Sequence, residues 1–362
     1  MTNDLYTDNR VRKVCEFLVK HGYIVTLVGR KLKNSHALPS LSYKTKRFWL
    51  PFTKGVFFYA SYNVRLFFFL LFHKADVLLA NDLDTLLANH WARKFKRRCK
   101  LIYDSHEYFI GVPELIEKPR VQNFWRHIEK KCLPKVDHMY TVNESIAELY
   151  RKEYGIRVDV VRNISDAPAY FQKKSRSELG LPEDKKIIIF QGAGINMQRG
   201  AEELIEAVSL VPQAVLIFVG SGDVLDQLKA QVAEKRLHQQ VLFFGKKPYL
   251  ELLNYTSVSD VGVSLDKDTN INYRYSLPNK IFDYIHCGIP VLVSDLPEIR
   301  KIVDAYEIGV VTPSHEPKIL AEQLQKLLRD EVLYNRLKTN TSKAAAQLTW
   351  EQECRVLEKI YL

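Results

Sequence analysis

The 362-residue sequence is short of several things, and each shortage narrows its class. Cysteine is scarce: five residues, at 15, 99, 132, 287 and 354, odd in number and without a C-x-x-C pair. That argues against a disulfide framework and offers no structural zinc site; it fits a reducing cytosol. Long apolar runs are missing as well. The longest candidate, residues 66–72 (LFFFLLF), is far too short to span a bilayer and is flanked by Arg65 and His73. The opening MTNDLYTDNR is polar, so no secretory leader is expected. Low-complexity tracts and internal repeats are absent. Acid is scarce in one half only: residues 1–165 carry 29 Lys+Arg against 16 Asp+Glu, whereas the rest carries 24 against 26. The whole excess of +11 therefore lies in the first half. Nucleic acid, an anionic membrane surface, a phosphorylated substrate or a merely solvated basic face would each account for it.

What is present is a regular alternation of apolar strands and amphipathic helices. In the first half, 23–28, 77–80, 101–103 and 139–142 read as strands, and 10–20, 84–95 and 143–154 as helices. The pattern restarts with strands at 187–191, 215–219, 241–244, 261–265 and 291–294, and helices at 201–211, 224–235, 280–287 and 318–329. Strands hydrophobic on both faces and alternating with helices predict parallel sheets covered by helices, an α/β class. Two such halves predict two doubly wound domains, 1–165 and 166–341, with a polar, proline-bearing boundary in 163–183. The segment 342–362 is helical in pattern and is expected to cross back to the first domain. One strand is lacking. Only Met1 and Thr2 precede the polar NDLYTDNR, so the usual first central strand of the N-terminal domain is expected to be missing.

In such sheets ligands bind beyond the carboxyl ends of the strands, so the polar residues directly after strands are the candidates. Gly192 and Gly194 follow one strand and lead to Arg199 before a helix; glycine admits a ligand close to the backbone, and arginine grips phosphate. Gly220 lies in a second glycine turn, which serves equally well as simple chain reversal. Pro278, Asn279 and Lys280 open a helix whose free N–H groups suit an anion, and Asp283 one turn on suits a pair of vicinal hydroxyls. The bland alternative leaves Lys280 solvated and Asp283 on the helix dipole. In the first half, Asn81 and Asp82 follow one strand, and His106 and Glu107 another. Asp82 and Asp84 form a D-x-D, but Asp84 reads as a helix cap and not as a metal ligand. His106 suits a sugar hydroxyl or a proton transfer, although a lone histidine is often structural.

Together these residues resemble a family. The block PNKIFDYIHCGIPVLVSDLPEI is similar to the donor-site signature of family 4 glycosyltransferases. NDLYTDNRVRKV, ANDLDTLLAN, YDSHEYF, VPEL and VVRN resemble a bacterial branch acting on surface polysaccharides, such as lipopolysaccharide. The resemblance implies the GT-B fold, two Rossmann-like domains facing across a cleft, with 1–165 on the acceptor side and 166–341 binding the donor. It implies a retaining transfer of a sugar from a nucleotide diphosphate to a glycan or lipid-linked acceptor, with no cofactor and no metal. It places Arg199 and Lys280 on the diphosphate, Asp283 on the ribose and His106 near the transferred sugar. His106, Arg199 and Lys280 thus form the candidate catalytic set. Gly192, Gly194, Gly220 and Asn279 complete the donor site, and Asp4, Asn81, Asp82 and Glu107 are acceptor-side candidates.

The sequence departs from the family in three places. Tyr275 stands where the family often has a first glutamate, Ala193 where it has an arginine, and the absent strand removes a loop. A catalytically degenerate binding protein in a polysaccharide assembly is therefore the alternative. Lipid-linked acceptors would give the basic half a role: 44–54 (KTKRFWLPFTK) mixes cations with aromatics as an interfacial surface does, and 93–100 (RKFKRRCK) adds a second basic run. The expected location is cytoplasmic, with peripheral contact to the anionic inner face of the cell membrane. Nucleic acid is not an expected partner, since neither basic run belongs to a nucleic-acid module.

Overall fold

The computed structural model describes residues 1–5, 8–33, 35–165 and 173–362. Tyr6 and Thr7 of the NDLYTDNR stretch, and 166–172 within the expected linker, lie outside the described residues. The chain divides into two compact units, Met1–Asn163 with Cys354–Leu362, and Ile164–Glu353.

The first unit holds two parallel sheets. β1 (Thr26–Lys31) pairs with β2 (Lys44–Trp49). β3 (Val77–Asn81), β4 (Lys100–Ser105), β5 (His138–Thr141) and β6 (Asp159–Val160) form the other, in that order. Leu101, Ile102 and Tyr103 of β4 are buried on both faces, as a helix-covered parallel sheet requires. α1 (Asn9–Lys20) begins at Asp8, whose carboxylate accepts from the Val11 N–H at 3.0 Å. α2 (Gly55–Phe72) packs on α3 (Leu83–Arg93).

Where a first strand would run, a few residues lie extended along β1. The Met1 amine donates to Val28 O at 3.0 Å, the Arg30 N–H to Asn3 O at 3.3 Å, and Asp4 bridges Arg30 in parallel. This segment is too short to be a strand, and the unit's β-structure is divided in two beside it.

One expectation is overturned. The sequence offered no apolar stretch long enough for a bilayer, yet α2 is 18 residues long with a mean hydropathy of 1.5. By length and composition alone it would suffice, and little of it is buried. An uninterrupted-run reading stops at Arg65, whereas a helix spreads Ser61, Asn63 and Arg65 among apolar neighbours. The basic-aromatic run 44–54 likewise contains β2, whose Phe48 is buried while its lysines stay exposed.

The second unit is one six-stranded parallel sheet of β7 (Lys186–Gly192), β8 (Ala214–Gly220), β9 (Val241–Phe243), β10 (Val261–Ser264), β11 (Val291–Ser294) and β12 (Gly309–Thr312). Its order, β12-β11-β10-β7-β8-β9, is doubly wound and reverses between β7 and β10. Alternate residues feed opposite cores: Ile188 and Phe190 pack on one face, Ile187 and Ile189 on the other. The helix Asn279–His286 covers one face through Ile281, Phe282 and Tyr284. Gly262 of β10 allows this, since a Cβ there would lie 2.4 Å from the Tyr284 ring.

The C-terminal segment is two helices, Glu331–Gln347 and Trp350–Tyr361, broken at Leu348 and Thr349. Its end joins the first unit, where the Tyr23 hydroxyl donates to Tyr361 O at 2.5 Å.

Candidate functional site

The second unit builds its site at the reversal between β7 and β10. After β7 the chain turns at Gly192 (φ 135°) and returns against Gly220, which ends β8. The Ser221 N–H donates to Gly192 O at 3.1 Å, and a Cβ on Gly220 would stand 1.8 Å from that oxygen. Only glycine permits this approach of two strand ends. Gly194 sits in the open part of the turn, with only the Asn196 side-chain amide near the position of a Cβ.

Lys280 projects beneath this turn. Its Cε lies 4.0 Å from where a Gly192 Cβ would be, and its Nζ stands 4.4 Å from the centre of the buried Phe190 ring. Burial lowers its pKa to about 8; Asp266 opposes the shift and Arg199 adds to it. A desolvated ammonium beside another cation is poised for an anion. Asn279 is exposed at the start of the same helix, where no side chain caps the first N–H groups. Arg199 pairs through Nη1 with Asp266, which is fully buried just past β10, and its guanidinium lies 4.3 Å from the Tyr273 ring centre. Asp266 Oδ1 and Arg199 Nε are buried without a partner. Gly192, Gly194, Gly220, Arg199, Asn279 and Lys280 are thus placed in the loops and helix start at one end of the sheet.

Asp283 has a different setting. It is 5% exposed, and its carboxylate accepts from Gln191 Nε2 at 2.8 Å and from the Tyr249 hydroxyl at 2.9 Å. Burial raises its pKa, and hydrogen bonds from Ser165 and Tyr249 oppose the rise. Gln191 is itself fixed by Thr256, whose hydroxyl donates to Oε1 at 2.6 Å. Asp283 is therefore already engaged in a buried network at the end of β7. Tyr275 follows the short helix Ile271–Arg274, and the neighbouring Ser276 hydroxyl donates to Asp266 at 3.3 Å.

The first unit gathers acids around one histidine. His106 Nδ1 is 3.3 Å from Asp82 Oδ2 and 4.0 Å from Asp8, and Nε2 is 3.4 Å from Asp104 Oδ2. Burial alone would lower the His106 pKa, but Asp82 and Asp104 outweigh it and hold it up at about 9. Neutral pH therefore finds an imidazolium here. Asp82 adopts a left-handed backbone (φ 60°) and accepts from the His106 N–H at 2.9 Å. Left-handed non-glycine residues are strained, and strain of this kind gathers at functional sites. Asp84, hydrogen-bonded by Thr2, is pushed up to about 7 by burial and by Asp82. Asn81 is buried at the end of β3 with Oδ1 unpartnered, and the Glu107 side chain is exposed beside the cluster. Asp4 accepts from the Ser35 hydroxyl and lies 3.6 Å from Arg47.

Sequence reasoning missed four structural partners. Arg10 of α1 binds Asp104 through Nε at 3.1 Å and Nη2 at 2.7 Å, both residues being buried. Asp266 follows a strand directly, so the rule that found Asp82 would have found it. Tyr249 and Gln191 carry no local signal, because only the folded chain brings them to Asp283. Among the described residues no group of three or more His, Cys, Asp or Glu is placed to hold a metal ion.

The sequence pattern described as Glycosyl transferases group 1 matches residues 171–344, and that described as Glycosyltransferase Family 4 matches residues 8–167. A D-inositol 3-phosphate glycosyltransferase of Corynebacterium jeikeium is 28% identical over 52% of this chain and 46% of its own length. The chain spans about half the length of the first curated relatives it matches. The solved sucrose-phosphate synthase of Thermosynechococcus elongatus superposes with a TM-score of 0.80 at 20% identity, over 97% of this chain and 92% of that one. An Anabaena protein, HepE, solved with UDP and glucose, superposes with a TM-score of 0.72 at 16% identity, over 99% and 97%. At these identities the likeness establishes the fold, which is GT-B with two Rossmann-like domains.

Proposed function

Because the chain belongs to the group 1, family 4 glycosyltransferases, we propose that it moves a sugar from a nucleotide diphosphate to a glycan or lipid-linked acceptor in surface polysaccharide synthesis. The observation that carries this reading is Lys280. It is a desolvated cation set under a glycine turn, at the reversal of a doubly wound sheet, next to a helix start with open N–H groups. When the bond from sugar to diphosphate breaks, negative charge grows on the departing phosphate. Lys280, Arg199 and the helix N–H groups would stabilise it without a resident metal or cofactor. His106 would act as a charged donor to sugar hydroxyls, since Asp82 and Asp104 keep it protonated. Asn81, Asp82 and Glu107 offer acceptor-side oxygens beside it, and Asp4, engaged by Ser35 and Arg47, is a further acceptor-side candidate. The transfer would retain anomeric configuration, as the family resemblance implies.

The test is calorimetry and thermal shift with a panel of nucleoside diphosphates, followed by release of nucleoside diphosphate from the matching nucleotide sugars. Binding in the micromolar range with measurable release is expected. A chain that binds none of the panel would sink the reading.

A binding-only alternative draws on Asp283, which is already held by Gln191 and Tyr249, and on Tyr275 in place of a carboxylate. Tight donor binding with no turnover on any acceptor extract would favour it.

A further inference from the structure

The first unit carries an exposed apolar surface on α2, away from the residues named for sugar transfer. α2 packs inward through Phe58, Tyr62 and Leu66, spaced one helical turn apart. About a third of a turn around the same helix, Phe57, Val64, Phe68 and Phe72 form a stripe 70%, 54%, 52% and 79% exposed. The stripe continues onto α3 and its following loop, where Phe67 meets Trp91 at 6.5 Å and Phe95 at 6.1 Å between ring centres. Trp91 and Phe95 are themselves exposed. Single exposed aromatics are ordinary, but a contiguous run of them marks an interaction surface.

Charge identifies the occupant. Between Glu16 and Asp76 the chain has ten lysines and arginines and no acid; between Asp84 and Asp104 it has six and none. Lys94, Arg97, Arg98 and Lys100 are exposed at the edge of the aromatic patch. Beside them lies a cavity of about 570 Å³ lined by Lys94, Lys96, Arg98, Lys100 and Lys135, with Arg93 and a single acid, Asp137, that Arg93 pairs at 2.8 Å. His90 also lines it, 3% exposed, with both ring nitrogens buried and unpartnered. A second copy of the chain would bring the same cations against these and be repelled. An apolar stripe rimmed by cations instead matches the boundary between acyl chains and anionic headgroups.

We infer that α2 with the 93–100 segment docks on an anionic phospholipid bilayer, the helix lying in the interface and the cationic cavity receiving lipid phosphate. Phe57, Phe68 and Phe72 enter the acyl boundary, while Tyr62 and Leu66 keep the helix on the unit. Asn63 of α2 donates to Asp84 O at 2.7 Å, which ties the docking helix to the start of α3. The inference goes beyond the transfer reaction and does not depend on it.

The experiment is flotation of the full chain with phosphatidylcholine vesicles, with and without about a third phosphatidylglycerol. Binding to the anionic vesicles, falling steeply with salt, is expected. Lys94→Glu, Arg97→Glu and Arg98→Glu together should lower partitioning by roughly a hundredfold or more. Phe57→Ser, Phe68→Ser and Phe72→Ser together should lower it at least about tenfold. Neither set should alter nucleoside diphosphate affinity, which separates failure here from failure of the proposed function. On the unaltered protein, the fluorescence of exposed Trp49 and Trp91 should shift to the blue with anionic vesicles only. No flotation and no shift at low salt overturns the inference. So does equal binding to neutral vesicles, or a solution dimer abolished by the phenylalanine set without any vesicle binding.

Discussion

The basic side chains at the centre of the two units' sites are shifted in opposite directions. His106 is held up at about 9 and Lys280 pushed down to about 8. Both lie in largely desolvated surroundings, so burial acts the same way on both. The neighbours decide the outcome. Asp82 and Asp104 flank His106, whereas Lys280 shares its surroundings with Arg199, and Asp266, the acid that opposes its shift, is already paired with that arginine. The first unit therefore carries a charge already compensated, and the second a charge that its described neighbours leave uncompensated. The sheets differ in the same spirit. The second unit's sheet is continuous and doubly wound, and the first unit's β-structure is divided in two.

Removing each charge should expose that difference. His106→Ala should lower turnover by about a thousandfold while leaving nucleoside diphosphate affinity within a factor of about two. Steady-state rates and calorimetry check the pair, and a large loss of affinity would break the comparison. Lys280→Ala should do the reverse in binding, weakening nucleoside diphosphate affinity about a hundredfold by calorimetry. Its melting temperature should hold, because no carboxylate among the described residues loses a partner. Gly220→Ala should destabilise the second unit by about 2–4 kcal/mol, read by chemical denaturation, since its Cβ would meet the Gly192 carbonyl.

The pH responses are smaller and sharpen the contrast. The raised His106 pKa contributes stability that is full below the ordinary value near 6.5 and is lost as pH rises through about 9. Lys280 has the opposite sign: its depressed pKa costs stability while it is charged, and that cost is relieved as pH rises from about 8 toward 10.5. Nucleoside diphosphate affinity of the free chain should fall about tenfold per pH unit above roughly 8, as Lys280 loses the proton that pairs with phosphate. A titration of affinity from neutral to alkaline pH checks this, and a flat profile would remove Lys280 from the phosphate site.

Much of the second unit was legible in advance. Each of its five foreseen strands is β-branched and apolar on both faces, so propensity, pattern and burial agree on one answer. The glycine turns and the Pro278-Asn279-Lys280 helix start were legible because backbone geometry demands those residue types locally. β2 and α2 were not. Their lysines, arginine and aromatics give no single period, because β2 is exposed along one face and α2 keeps much of its apolar surface in solvent. The Asp283 environment was illegible for another reason. Gln191, Tyr249 and Ser165 lie far from it in sequence and meet it only across the folded unit.

By itself the sequence determined the class of the fold, the positions of the glycine turns after β7 and β8, and the uneven spread of charge. These follow from local backbone restrictions and from composition, which survive without knowledge of contacts. Tertiary structure alone decided which charges are compensated. Arg10 took Asp104, Arg199 took Asp266, and among the described residues Lys280 was left without a carboxylate of its own. Pairing is a matter of a few ångströms and of burial, since the strength of a charge's surroundings rises as water is removed. A residue's identity fixes its charge, and only its neighbours fix what that charge can do.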